Sequence, residues 1–202
     1  MRINKKKFIY LISPNKIYPE FYHDLNQVLR TGKVALFQLR LKKYSLKQKI
    51  VIGKKIQRIC KKNNIKFIVN DDPILSKTLN ADGCHLGQKD MDIKNARKII
   101  GKKIIGVTCH NSIKLAKAAI KENADYIAFG AFFSTKTKKV IFKADIKILN
   151  KIKKLTKTPI VAIGGINFDN YKKLLLNNAN LLAISSYVWN NKKYKPLETI
   201  EK

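Results

Sequence analysis

The sequence predicts an α/β protein folded as a single (β/α)8 TIM barrel. Short, continuously apolar runs recur eight times and alternate with segments of helical spacing or length. Strands covered on both faces by helices read as unbroken apolar runs, because neither face meets water. Each run stops abruptly in polar, hydroxyl or glycine residues, and in β/α barrels the carboxyl ends of the strands carry the chemistry. No run opens a GxGxxG turn, which leaves a doubly wound open sheet as the weaker alternative. The 202 residues fit one domain, residues 1–202, at the lower edge of barrel length, with no linker or low-complexity stretch.

In order, residues 8–12 (FIYLI) form the first strand, ended by Ser13-Pro14-Asn15. Residues 21–29 carry apolar side chains at helical spacing and stop at Thr31-Gly32, a helix C-terminal signal. Residues 34–39 are the second strand. A lysine-rich amphipathic helix follows over 45–60, with Ser45 as its N-cap. Residues 65–69 and 81–84 are the third and fourth strands, and the roughly 18 residues between Asp71 and Asp90 allow a short helix between them. A helix over 93–100 closes on Gly101, residues 103–107 make the fifth strand, and Asn111 can cap a helix running to about Lys121. The sixth strand is 126–129, followed by a longer polar loop over 130–143 and a helix over 146–155. Residues 159–163 (PIVAI) are the seventh strand and run into Gly164-Gly165. A helix over 169–176 precedes the eighth strand, 181–184, and the tail 189–202 reads as a last helix interrupted by Pro196.

Composition narrows the function classes. The chain carries 43 basic and 13 acidic residues, a formal charge of +30, and only five of the basic residues are arginines: Arg2, Arg30, Arg40, Arg58 and Arg97. Base-reading surfaces rely on bidentate arginine. The lysines here are scattered over nearly every helix-like segment, which points to compositional bias rather than a selected nucleic-acid surface. Cys60, Cys84 and Cys109 are odd in number and widely spaced, as expected of reduced core thiols in a cytoplasmic protein. The start, MRINKKKFIYLISPN, offers five apolar residues in a row, too short for a signal peptide or a membrane span, and no later run is long enough. No membrane partner is expected.

Collected at one barrel end, the strand termini form a consistent set. They offer Gln38, Arg40 and Lys42 after strand two, Asn70 and Asp71 after strand three, and Asp90 beyond strand four. Thr108 and His110 follow strand five; Thr135, Thr137 and Lys138 follow strand six. Gly164 and Gly165 end strand seven, and Ser185 and Ser186 end strand eight. Two carboxylates among cations and hydroxyls suit a hard cation such as Mg²⁺ bridging protein to phosphate oxygens. The Gly-Gly turn and the Ser pair lie where barrels bind a second phosphate. Each piece has an ordinary reading too. Asn70-Asp71-Asp72-Pro73 is a helix-start signal, Gly164-Gly165 a tight turn, and His85 or His110 singly a packing residue. Their coincidence on strand ends favours a site.

These residues resemble the thiamine-phosphate synthase and thiazole tautomerase family over nearly the whole chain. The resemblance is carried by QLRLK (38–42), VNDD (69–72), ADGCHLGQKDM (81–91), GVTCH (106–110), TKTK (135–138), PIVAIGGIN (159–167) and ISS (184–186). It implies Mg²⁺ on Asp71 and Asp90. It implies that Arg40, Lys42, Asn70 and Lys138 hold the diphosphate of an aminopyrimidine, with the rest of the strand-two segment, Leu39 and Leu41 included, lining that pocket. Gln38 would lie near the pyrimidine ring and Thr108 at the family's serine position. Thr135, Lys136, Thr137, Gly165, Ser185 and Ser186 would hold a thiazole phosphate. The implied catalytic set is Arg40, Lys42, Thr108 and Lys138, and the reaction joins the two phosphorylated heterocycles with release of pyrophosphate. A homodimer is also implied. Ala131 and Ser134 stand where the family has prolines, and Asn180 precedes strand eight where it has Asp-Gly. The alternatives are a tautomerase, with His110 as its histidine, and a basic nucleic-acid-binding module.

Overall fold

A computed structural model of the chain describes residues 7–134 and 143–202. The strands β1 (Ile9–Ile12), β2 (Val34–Leu39), β3 (Lys66–Asn70), β4 (Gly83–Leu86), β5 (Ile104–His110), β6 (Tyr126–Phe129), β7 (Ile160–Ile163) and β8 (Leu181–Ile184) pair in sequence order. All pairs are parallel, and β8 returns to β1 to close the barrel. The intervening helices are α1 (Phe21–Arg30), α2 (Leu46–Lys62), α3 (Pro73–Thr78), α4 (Ile93–Ile100), α5 (Ile113–Lys121), α6 (Lys147–Lys153) and α7 (Tyr171–Leu176). Two further helices, α8 (Ser186–Trp189) and α9 (Pro196–Glu201), complete the chain. This is the TIM barrel that the apolar runs predict.

Alternation along each strand splits the core in two. Tyr10, Ile12, Leu36, Ile68, Tyr126, Val161 and Leu181 fill the barrel interior. Their neighbours Leu11, Phe37, Val69, Ile127 and Leu182 face outward and pack against helix residues such as Leu25, Ile56, Ala96 and Leu174. All three cysteines are buried in this outer shell. Burial pushes their thiols up, Cys109 to about 12, so none is a ready nucleophile.

A repeated tripeptide sets the height at which the strands start. In Asn80-Ala81-Asp82, Asn123-Ala124-Asp125 and Asn178-Ala179-Asn180 the first Asn takes positive φ (45°, 61° and 73°). The following Ala N–H donates to the carbonyl of Ser76, Ala119 or Leu174, closing a Schellman-type helix end. The third residue's side chain accepts the N–H of Phe67, Ile105 or Ile160 on the preceding strand, each at 2.9 Å. Asn64-Ile65 repeats the helix stop, with φ 55° and the Ile65 N–H on Cys60 O. Every such stop pins a helix end to a strand start, and through the strand fixes where its carboxyl end emerges.

That device accounts for the largest difference from the sequence reading. Ala81 and Asp82 belong to a helix stop, so β4 runs over Gly83–Leu86 rather than 81–84, and His85 lies within the strand. Strand β5 extends to His110 rather than ending at 107, with an irregularity in its pairing to β6 between Thr108 and His110. Ser45 does cap α2, in a reciprocal box with Gln48. The cap of α5 is Ser112 rather than Asn111, whose side-chain Oδ1 accepts the Asp145 N–H instead. Of the tail 189–202 only α9 is helical, and α8 ends at Trp189, where the single helix is expected to begin. Asn191 turns the chain between them by accepting the N–H groups of Lys193 and Tyr194, and Pro196 begins α9 instead of interrupting a helix.

Candidate functional site

The alternation that puts Leu36, Ile68, Gly83 and Gly106 inside the barrel brings Gln38, Asn70, His85 and Thr108 to its carboxyl-end mouth. Gln38 and His85 are buried there, at 3% and 8% exposure. Buried polar groups are costly unless hydrogen-bonded, and these are joined in one chain. Gln38 Nε2 donates to the Tyr10 hydroxyl (2.7 Å), which meets the Tyr126 hydroxyl (2.7 Å). Tyr126 meets His85 Nδ1 (2.9 Å), and His85 Nε2 meets Thr108 Oγ1 (2.8 Å). Burial raises both phenols and lowers His85 to about 4, so the chain is uncharged at neutral pH.

The acidic pair stands beside it. Asp71 directly follows β3 in the left-handed conformation (φ 65°), held by its N–H on His85 O at 2.7 Å. Asp72, next in the chain, caps α3 by accepting the Leu75 N–H at 2.9 Å. The helix-start reading therefore holds for Asp72, while Asp71 stands at the barrel mouth beside Asp90. The Asp90 carboxylate accepts the Gly87 N–H at 2.7 Å across a tight turn and lies against Asp71. Desolvation pushes the Asp90 carboxyl up, the Gly87 N–H pulls it down, and the Asp71 carboxyl pushes it up again. Lys42 Nζ is 3.4 Å from Asp71. Arg40 is half-buried near Asp71, its guanidinium on Asn15 Oδ1 and its backbone N–H on the buried Ser13 hydroxyl.

Two neighbouring carboxylates at one barrel mouth fit a divalent cation. Among the described residues no group of three or more His, Cys, Asp and Glu is placed to hold a metal. A pair suits Mg²⁺, which takes one or two carboxylates and completes its shell with water and phosphate.

On the other side of the mouth, Gly164 and Gly165 leave β7 at φ 103° and 64°. Each sits so close to the loop after β6 that a β-carbon would lie 2.3 Å from Ala131 Cβ or from Ser134 O, respectively. The Ile163–Ala183 pairing sets the ends of β7 and β8 side by side. The Ser185 hydroxyl donates to Ser13 O at 3.1 Å, which leaves Ser186 and backbone N–H groups as the donors at that end. Thr135, Lys136, Thr137 and Lys138 lie outside the described residues. Leu39 and Leu41 are buried in the outer shell, so their side chains do not reach the mouth; pocket-lining side chains were expected there, and strand parity turns them away.

Four residues at this site stand outside the set of candidate binding residues collected from the strand ends. Ser13 binds the ends of β1, β2 and β8 together through Arg40, Gln38 and Ser185. Tyr10, Tyr126 and His85 look like packing residues. The signal that finds them is parity: Tyr10 and Tyr126 share the inward face with Ile12 and Ala128.

The chain is similar to known proteins over nearly its whole length. The family model described as thiamine monophosphate synthase matches residues 9–188. The chain is 65% identical to the thiamine-phosphate synthase of Pelagibacter ubique (strain HTCC1062), over 100% of this chain and 99% of that one. It is 40% identical to the thiamine-phosphate synthase of Erythrobacter litoralis (strain HTCC2594), over 90% and 87% of the two chains. Among solved structures, thiamine phosphate pyrophosphorylase from Pyrococcus furiosus superposes with a TM-score of 0.84 at 31% identity, covering 98% of this chain and 93% of the other.

Proposed function

The chain belongs to the thiamine monophosphate synthase family, and from that premise we propose how its own residues carry the reaction. It is an enzyme that forms thiamine phosphate by joining a pyrimidine carrying a diphosphooxymethyl group to a thiazole carrying a phosphooxyethyl group, with release of pyrophosphate. The observation that carries the residue assignment is the facing carboxylates Asp71 and Asp90 with Lys42 beside them at the barrel mouth.

Arg40, Lys42 and Asn70 bind the diphosphate from the β2 and β3 side, with Lys138 reaching it from the loop after β6. Asp71 and Asp90 would hold Mg²⁺ together with diphosphate oxygens, and the ion would supply positive charge to the departing pyrophosphate. Lys42 and Arg40 stand near Asp71 before substrate arrives, so positive charge is already in place as negative charge grows on the leaving group. The carbon–oxygen bond breaks with its electron pair going to pyrophosphate, and the thiazole nitrogen lone pair closes the carbon–nitrogen bond. No protein nucleophile enters, in keeping with the inert, buried cysteines. Gln38 and Thr108 orient the pyrimidine ring. Backbone N–H groups at Gly165, Ser185 and Ser186, with Thr135, Lys136 and Thr137, bind the thiazole phosphate.

The test is product formation from the two phosphorylated substrates with Mg²⁺ and with EDTA. Thiamine phosphate made with the metal and reduced to background by EDTA supports the assignment; equal rates in both would overturn the metal site, and no product from folded protein would overturn the reaction. Among the described residues no helix is long and apolar enough to cross a membrane, and we place the enzyme in the cytoplasm. On the family resemblance we also propose a homodimer. Light scattering should return twice the 23.2 kDa chain mass; the mass of one chain would refute it.

A further inference from the structure

The interior of the barrel holds a cost that packing does not explain. Phenylalanines at positions 10 and 126 would fill nearly the same volume as tyrosines without two hydroxyls to satisfy, and burying a hydroxyl is unfavourable unless it is paired. Yet Tyr10 and Tyr126 are 1% and 0% exposed, and every buried side-chain nitrogen and oxygen among the described residues has a partner. The rings are held as firmly as the hydroxyls. Tyr126 stands edge-on to Tyr10 and parallel to His85, with ring centres 5.7 and 5.6 Å away.

The links of this chain constrain one another. A phenol has one proton to donate, and a neutral imidazole donates from one nitrogen and accepts at the other. Fixing the direction of one bond, and requiring every buried proton to find an acceptor, therefore fixes all four. With Gln38 Nε2 donating to Tyr10, the Tyr10 proton goes to Tyr126 and the Tyr126 proton goes to His85 Nδ1. His85 must then carry its proton on Nε2 and give it to Thr108 Oγ1. The two ends emerge at the mouth with opposite polarity. Gln38 keeps its carbonyl oxygen as an acceptor beside its second Nε2 proton, and Thr108, already receiving a hydrogen bond, has its own proton to donate.

We propose that Tyr10, Tyr126 and His85 are positioning residues that set the hydrogen-bond polarity of the pyrimidine pocket from inside the barrel, so that Gln38 accepts from an exocyclic amine and Thr108 donates to a ring nitrogen. The assignment rests on the synthase reading for the identity of the ligand. It adds the source of specificity: a pyrimidine whose amine is replaced by a carbonyl would face the Gln38 oxygen with a second acceptor. Sites built around a paired donor reject analogues that leave a buried polar group unpaired far more strongly than apolar pockets reject a change in size.

The experiment has two arms. Nitrogen-15 NMR of histidine-labelled protein without substrates reads the His85 tautomer, with its signal separated from those of His23 and His110 by His23→Gln and His110→Gln variants. A folded parent chain with His85 protonated on Nε2 alone is expected; protonation on Nδ1, or a mixture, overturns the proposed direction whatever the enzyme's activity. In the second arm the preference for the amino substrate over its oxo analogue is measured as a ratio of kcat/KM for the parent and for Tyr126→Phe. Intrinsic reactivity is common to both proteins and cancels between the two ratios. The variant should lose its single His85 tautomer and about tenfold of its preference. An unchanged preference in a folded Tyr126→Phe chain, checked again in Tyr10→Phe, overturns the proposal. Absence of product in every chain would instead strike at the synthase reading, and the tautomer result would still stand on its own.

Discussion

Asp71→Asn should lose roughly 10²–10⁴-fold in thiamine phosphate formation at saturating Mg²⁺ while unfolding close to the parent temperature. Asparagine keeps the shape of the side chain and tolerates the left-handed conformation that residue 71 adopts, so the backbone bond to His85 O survives. What is lost is one of two adjacent negative charges, and with it the partner of Lys42. A lysine–carboxylate contact this exposed contributes little to stability, so the loss should be confined to catalysis. Asp72→Ala gives the opposite pattern. It removes the N-cap of α3 and should cost about 1 kcal/mol in urea denaturation. Its turnover should stay within a few-fold of the parent. Near-parental activity in Asp71→Asn, or a collapse of activity in a folded Asp72→Ala chain, would show that the two adjacent aspartates have been given the wrong roles.

Gly106→Ala is expected to be the most destabilising single-methyl change in the barrel interior. A β-carbon there would lie 1.8 Å from Tyr126 Cζ and 2.2 Å from a second ring carbon. The ring has nowhere to go, since it is fully buried and wedged between Tyr10 and His85. Overpacking a close-packed interior costs about 1–3 kcal/mol, and displacing Tyr126 also strands the hydroxyl of Tyr10 and Nδ1 of His85, at about 1–3 kcal/mol for an unpaired buried group. A loss of about 3 kcal/mol or more corresponds to a melting temperature lower by about 6–12 °C in a chain of this size. Combining it with Tyr126→Leu should restore part of the stability but not the activity, because the space is recovered and the hydrogen-bond chain is not. Gly106→Ala melting within two degrees of the parent would mean that the interior is looser than these contacts imply.

The sequence by itself determined the barrel and singled out the two carboxylates that the structure brings together. Strands buried on both faces must be apolar throughout, so eight such runs announce themselves without any knowledge of their partners. Strand ends are equally local: Gln38, Arg40, Lys42, Asn70, Asp71 and Thr108 each follow or end an apolar run, and parallel strands must deliver them to one side. Helix stops were partly legible through Gly32 and Gly101. The stops built on Asn80, Asn123 and Asn178 were not, because an asparagine at positive φ looks like any other polar residue until its chain direction is known.

Only the tertiary structure decided which side chain of each pair does what. Asp71 and Asp72 are interchangeable as sequence; a bond to β4 turns one toward the mouth, and a bond within α3 keeps the other as a cap. His85 reads as part of a loop until Asp82 is seen to be spent on β3, which moves the strand by two residues and the imidazole into the interior. Tyr10 and Tyr126 are 116 residues apart, and nothing local distinguishes a tyrosine that packs from one that relays. Apolar burial is a property each residue carries with it, whereas a hydrogen bond belongs to a pair, and its partner exists only once the barrel has closed.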